Sequence, residues 1–276
     1  MANRNLIKII DLGFHPYADT FIKKKLLNKS EPVFQLACFL DKKNGTIQNT
    51  VKTDDNLRYN LYEYSYTSSN STYSKNYWEK YAEHIISRLN INSKSKILEI
   101  GSNDGYLLKC LKINTKKVWG VDASNFMCKL ANSKNIRTFK LLFNFKNSKR
   151  IKKKISKVDI IIANNVANHS NNVLDFFKGV KNLLKLNGIF IFEIPYWYNL
   201  VKKKQFDQIY HEHVNYFTAK SAQYYLQKIG LYIYDITETA YHGGSIRFYV
   251  GLDKKKSNIK KIKEYIYKEN KLGLFN

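Results

Sequence analysis

The spacing of apolar positions changes twice along the chain. Residues 76–90 place Trp78, Tyr81, Ala82, Ile85, Ile86 and Leu89 three and four apart, which predicts a helix. From 96 onward, short apolar runs alternate with helical stretches. Strands are predicted over 96–100, 118–121, 136–139, 158–163 and 189–194. Helices are predicted over 106–113, about 124–133 and about 173–186, the last stopped by Asn187 and Gly188. A helix over 219–229 ends at Gly230, and two final strands, 231–237 and 245–250, flank a glycine turn. Strand–helix alternation of this kind gives an α/β fold, a Rossmann-like doubly wound sheet with right-handed crossovers. The last two strands supply an antiparallel terminal hairpin.

Upstream of 76 the helical period is lost. Residues 11–19 read as a turn, 32–40 as a strand and 41–45 as a hairpin turn, because Asn44-Gly45 favours positive φ. Residues 45–51 return as a second strand, giving a small β-rich cap. Residues 62–73 are polar and rich in tyrosine, which fits a flexible connector or phenols facing a ligand cavity. Residues 254–276 form a basic, helical tail with apolar positions at Ile259, Ile262, Tyr265 and Ile266. The expected organisation is cap and connector over 1–75, the α/β domain over 76–253 and the tail over 254–276.

Composition sets bounds on this picture. With 276 residues, 44% of them hydrophobic, the chain can pack one substantial α/β domain and a small appendage. No apolar run is long enough to span a bilayer, and the start of the chain is too short and interrupted for a signal peptide, so a cytoplasmic protein off the membrane is expected. Cys38, Cys110 and Cys128 show no CxxC spacing, which argues for reduced thiols and against a disulfide framework or zinc knuckle. The net charge of +25 raises the question of nucleic acid. It comes almost wholly from lysines scattered over different segments, among them 23–25, 152–154, 202–204 and 254–256, whereas phosphate and base recognition favours arginine. Nucleic acid is therefore disfavoured as a partner. The charge favours anionic small molecules, phosphate-bearing ones included.

Three segments carry candidate chemistry. In the first, an apolar strand runs into Gly101-Ser102-Asn103-Asp104-Gly105 and then a helix, with Glu99 before the turn and Asp122 after the next strand. Such a turn sits at the carboxyl end of a strand, where open α/β sheets bind ligands. Its GxNxG spacing is neither GxGxxG nor a P-loop. It resembles the S-adenosylmethionine site of class I methyltransferases. The resemblance implies that Glu99, Gly101, Ser102, Asn103 and Gly105 shape the cofactor turn and that Asp122 binds the ribose hydroxyls. The second segment, 162–169, follows another strand. Asn164 and Asn165 there could hold the methionine end of the cofactor or part of the substrate, or cap the next helix. The third, 208–218, packs Tyr210, His211, Glu212 and His213 into one short stretch. Histidine and glutamate at that density suit a site that moves protons near neutral pH.

Further motifs occur in order: DLGxxPxA at 11–18, YxYxS at 64–68, EIGSNDGYLL at 99–108, GVDAS at 120–124 and NNVxxH at 164–169. EIPY at 193–196, FDxIYHEHxxYF at 206–217 and HGGSxR at 242–247 follow. Together they resemble the sugar C-methyltransferases that act on nucleotide-linked keto-deoxysugars. In that family a histidine of the YHEH motif removes the proton beside a keto group, and the enolate attacks the methyl group of S-adenosylmethionine. Carried over, the resemblance implies His213 as base, with Glu212 and Tyr210 as orienting and enolate-stabilising partners and His211 as the other candidate base. Tyr64 and Tyr66 would close over the sugar. His169, Tyr196, His242, Gly243, Gly244 and Arg247 would line the substrate site.

The chain departs from that family twice. The family usually holds zinc in its N-terminal domain with two cysteine pairs, but here only Cys38 keeps one such position, so no structural zinc is expected. The family also usually carries a further α/β domain after the core; here either another chain supplies it, or the substrate is smaller or different, or the chain is a degenerate relative. The expectation is an S-adenosylmethionine-dependent C-methyltransferase of an activated, phosphate-bearing sugar in surface-polysaccharide or secondary metabolism. The alternatives are an O- or N-methyltransferase and a basic nucleic-acid-binding protein with a vestigial cofactor pocket.

Overall fold

In the computed structural model, which describes residues 6–18, 22, 24–52 and 67–276, the apolar runs form the centre of a seven-stranded sheet. Its strands are β4 (Ile97–Ile100), β5 (Val118–Asp122), β6 (Thr138–Lys140), β7 (Val158–Asn164), β8 (Leu184–Pro195), β10 (Tyr232–Thr239) and β11 (Ser245–Gly251), in the order β10-β11-β8-β7-β4-β5-β6. The five from β4 to β8 run parallel, and β11 lies antiparallel between β8 and β10.

Period-two alternation divides the strands between two cores. Ile97, Ile160, Ile162 and Ile191 face one cluster with α1 (Thr72–Leu89) and α2 (Tyr106–Leu111). Leu98, Ile161, Ala163, Phe190 and Phe192 face the other, with α4 (Phe145–Ile155), α5 (Val173–Leu183) and α7 (Ala219–Lys228). Strands buried on both faces explain why their sequences are continuously apolar. Helix α3 (Asn125–Ser133) joins β5 to β6, and the short α6 (Trp197–Lys202) follows β8.

A second, antiparallel sheet has the order β1-β2-β3-β9, with β1 (Leu6–His15), β2 (Phe34–Asp41), β3 (Thr46–Asn49) and β9 (Asn215–Tyr216). Its last strand belongs to the histidine-rich segment, and Ile47 and Gln48 pair with Tyr216 and Asn215. The two sheets therefore meet at that segment.

Several elements differ from the sequence reading. Residues 11–15 continue β1 instead of turning, because register shifts between Asp11 and Phe14 absorb the irregularity. Helix α5 stops at Leu183, and Asn187-Gly188 lies inside β8. Gly188 serves close approach there, since a β-carbon would lie 2.8 Å from Leu184 Cδ1 and 3.0 Å from Asp159 O. Helix α4 was hidden by its lysines: only Ser148, Ile151 and Ile155 are buried. Helix α6 is a single buried turn and a half, too short to show a period.

The tail is docked by α8 (Ile259–Lys271), where Ile262 and Glu269 are buried. The Glu269 carboxylate accepts from the backbone N–H of Ala219 and Lys220 at the start of α7, and from the Tyr196 hydroxyl. Burial pushes Glu269 from 4.5 up to about 7, the hydrogen bonds only partly opposing it. A raised carboxyl means that the folded chain binds the extra proton. Its stabilising contribution is complete below pH 4.5 and is lost as pH rises through about 7. That gap corresponds to about 3 kcal/mol. Glu269→Gln should remove this part of the decline, which thermal melts at pH 5 and pH 8 would read as a smaller drop in Tm than wild type shows.

Candidate functional site

The carboxyl ends of β4, β5 and β7 open into a cleft of about 1160 Å³, its solvent-facing mouth included. Gly101 begins one wall. Its φ of +68° and the closeness of Val166, which a β-carbon would strike, both require glycine. Gly105 then opens α2 without itself lining the cleft. Asp122 ties the wall together, its carboxylate accepting from Asn103 N–H and Ser124 N–H at 2.8 Å each. Burial raises its pKa against the opposing pull of these amides.

Asn103 Oδ1 accepts from Ser68 N–H at 2.9 Å. Asp104, fully buried, accepts from the hydroxyls of Ser68 and Ser69 and from Lys134 Nζ at 3.1 Å. Burial alone would raise the Asp104 carboxyl, but those hydroxyls and the ammonium outweigh it and hold it below its usual range. This clamp fastens the chain just before α1 onto the glycine turn. Asp104 was visible in the motif but carried no role until Ser68 and Ser69 were placed against it.

Five polar atoms lining the cleft are buried without a hydrogen-bond partner: Trp78 Nε1, Glu99 Oε2, Ser102 Oγ, Asn164 Nδ2 and Asn165 Oδ1. Folding rarely leaves such groups unpaired, so their convergence marks a place where a polar ligand completes the bonding. Burial, reinforced by Asp104 and Asp122, raises Glu99 well above the usual carboxylate range. Tyr81 donates to Asn164 Oδ1 at 3.3 Å, which leaves the amide nitrogen for a ligand.

The opposite wall comes from the 208–213 turn, His169 and His242. Gln208, Tyr210, Glu212 and His213 all line it. His213 is 3% exposed. Its Nδ1 lies 2.8 Å from the carbonyl of Gln208, which can only accept, so Nδ1 carries the proton. In the neutral ring Nε2 then holds the lone pair, and the Tyr210 hydroxyl donates to it at 2.7 Å. The result is a fixed imidazole with a phenol at its Nε2 lone pair. The His169 ring, in the turn Ala167–His169, lies with its centroid 5.2 Å from that of His213. His242 sits on the β10–β11 connection with φ +50°, and burial lowers its pKa, favouring the neutral imidazole.

Other expected contacts lie elsewhere. His211 turns toward the second sheet, where Nε2 meets the Phe34 carbonyl at 3.1 Å and the ring packs edge-on against Tyr17 and Phe34. Tyr196 is buried against Tyr198, with its hydroxyl on Glu269. Arg247 pairs with Glu193 at 2.8 Å, donates to Tyr77 and lies over the Tyr81 ring, so it holds β11 to β8 and α1. Gly243 and Gly244 shape the connection that carries His242 but do not line the cleft. Tyr64 and Tyr66 lie outside the described residues. Among the described residues, no cluster of three His, Cys, Asp or Glu is placed to hold a metal, and no helix is long and apolar enough to cross a membrane.

A family model described as a methyltransferase domain matches residues 73–236. The C-methyltransferase NovU of Streptomyces niveus is 27% identical over 183 residues, which cover 66% of this chain and 44% of that protein. The chain therefore spans less than half the length of this relative. Among solved structures, the complex between the Haloferax volcanii Trm112 methyltransferase activator and a methyltransferase aligns at 14% identity, TM-score 0.51, over 66% of this chain and 95% of that chain. A S-adenosylmethionine-dependent methyltransferase from Clostridium acetobutylicum aligns at 19% identity, TM-score 0.49, over 67% of this chain and 93% of that chain. At 14% identity the likeness to the first of these concerns the fold alone.

Proposed function

Because this chain belongs to the methyltransferase-domain family, with S-adenosylmethionine as cofactor, we propose that it methylates a carbon beside the keto group of a nucleotide-linked sugar. The observation that carries this reading is the Tyr210–His213 pair, with its lone pair at Nε2, across the cleft from the glycine turn. The 27% identical C-methyltransferase supports it.

The unpaired groups of the cofactor wall suit the donor. Ser102, Asn164, Asn165 and Glu99 would meet its polar methionine end, and Asp122 and Asn103, already bonded within the wall, would border the ribose. When bound, S-adenosylmethionine supplies an electrophilic methyl group. The protein's work is to generate the nucleophile. A proton beside a ketone is weakly acidic, so its removal needs a positioned base and stabilisation of the developing oxyanion. His213 Nε2 takes the proton, and the C–H electron pair passes into the enolate. The Gln208 carbonyl steadies the resulting imidazolium through Nδ1–H. Tyr210, released from Nε2 as the base becomes protonated, can donate to the enolate oxygen. Glu212 adds a carboxylate to the same wall.

Deuterium exchange tests the reaction class. In D2O with S-adenosylhomocysteine bound, the protein should wash deuterium into the carbon beside the ketone of a nucleoside-diphosphate-linked keto-deoxysugar. Methyl transfer to a sugar hydroxyl or amine without such exchange would replace this reading with O- or N-methylation.

A further inference from the structure

The base-bearing turn is fastened from outside the α/β sheet, by Asn49 at the end of β3. Asn49 is 5% exposed. Its amide Nδ2 donates to two carbonyls of the turn, Tyr210 O at 2.9 Å and His213 O at 3.0 Å. Its Oδ1 accepts from Cys38 Sγ at 3.3 Å, and its backbone N–H donates to Val214 O at 2.9 Å. Both amide hydrogens are thus spent on the residues that form the base and its phenol.

The amide has one workable orientation. Turned over, Oδ1 would face two carbonyl oxygens that cannot donate. Cys38 supports the same orientation, because burial pushes its thiol up to about 12 and it remains a donor at ordinary pH. The one cysteine at a position resembling a zinc ligand therefore hydrogen-bonds the residue that grips the site. Tyr210 O also accepts from His213 N–H at 3.0 Å, which closes the turn on itself. Asn49 is the external tether on the Tyr210 and His213 carbonyls, while His211 reaches Phe34 O separately.

We infer that Asn49 is a positioning residue for the Tyr210–His213 pair, fixing the turn so that His213 keeps one tautomer with Nε2 against the Tyr210 hydroxyl. The inference rests on the reading of that pair as base and phenol. Gln48 provides the contrast: its Nε2 donates to Asn215 Oδ1 at 2.8 Å, bridging β3 and β9 within the second sheet without touching the turn.

The test uses 15N-histidine-labelled protein saturated with S-adenosylhomocysteine, and His213→Asn to assign the ring resonances. Wild type and Gln48→Ala should show one His213 tautomer, Nδ1 protonated and Nε2 bare. Asn49→Asp, which sets a carboxylate oxygen against the two carbonyls, and Asn49→Ala should show the two nitrogens drawn toward each other as tautomers mix. Both variants should keep S-adenosylhomocysteine affinity within about threefold of wild type, since the cofactor wall lies on other strands. Asn49→Ala decides if Asn49→Asp fails to fold. An unchanged His213 spectrum in the folded Asn49 variants overturns the inference. So does an equal disturbance in Gln48→Ala, or loss of cofactor binding in both Asn49 variants, because Asn49 would then only maintain the fold. The underlying reading is judged separately: α-carbon exchange that survives His213→Asn sinks it, whichever way the spectra fall.

Discussion

His213→Asn should lower turnover by about 10³-fold while S-adenosylhomocysteine binds as it does to wild type. Asparagine keeps a polar group in the space near Gln208 O but has no lone pair where Nε2 stood. The chemistry then relies on water or on the unassisted phenol, and Tyr210 loses its acceptor. Affinity for the cofactor product is expected to hold because the groups that suit it come from β4, β5 and β7, across the cleft from the turn. Single-turnover rates with a nucleoside-diphosphate keto-deoxysugar, beside calorimetric titration with S-adenosylhomocysteine, read the two quantities separately. Turnover within tenfold of wild type would remove His213 from the role of base. A parallel loss of affinity would mean that the variant had disturbed the whole cleft.

Asp122→Ala should act on the other quantity. Its carboxylate holds the amides of Asn103 and Ser124, and so the shapes of the glycine turn and of the start of α3. Removing it leaves two buried N–H groups to find partners, at about 1–3 kcal/mol each. Any bond to a ribose hydroxyl is lost as well. S-adenosylhomocysteine affinity is expected to fall by about 100-fold, which is about 2.8 kcal/mol, with a measurable drop in Tm. Calorimetry on the folded variant decides it. Affinity within threefold of wild type would show that the backbone of the turn, rather than Asp122, carries recognition.

The sequence showed most clearly what depends on local pattern. The buried strands β4, β7 and β8 are short apolar runs whatever surrounds them, and the glycine turn follows directly from one of them. Roles set by long-range packing were hidden. His211 and His213 read alike two residues apart, yet one ring meets the cleft and the other the Phe34 carbonyl, and the choice depends on a sheet formed some 170 residues earlier. Arg247 and Glu193 sit in two different motifs, and only the β8–β11 register reveals that they neutralise each other. Tyr196 looked like a ligand contact because its partner, Glu269, lies in a tail whose helix showed few apolar positions. Asn49 left no trace in spacing, since one asparagine inside a short predicted strand does not announce its partner.

The junction of the two sheets bears on the order in which the chain folds. The cofactor wall is assembled from neighbouring strands, and its links, such as Asn103 to Asp122 across 19 residues, close early. The histidine wall is joined to β3 by bonds spanning 161, 164 and 167 residues. Loop-closure entropy grows only slowly with length, so such bonds are not costly at equilibrium, but contacts between distant segments form late. A chain emerging from the ribosome is therefore expected to shape the glycine-turn wall before the His213 turn docks on β3.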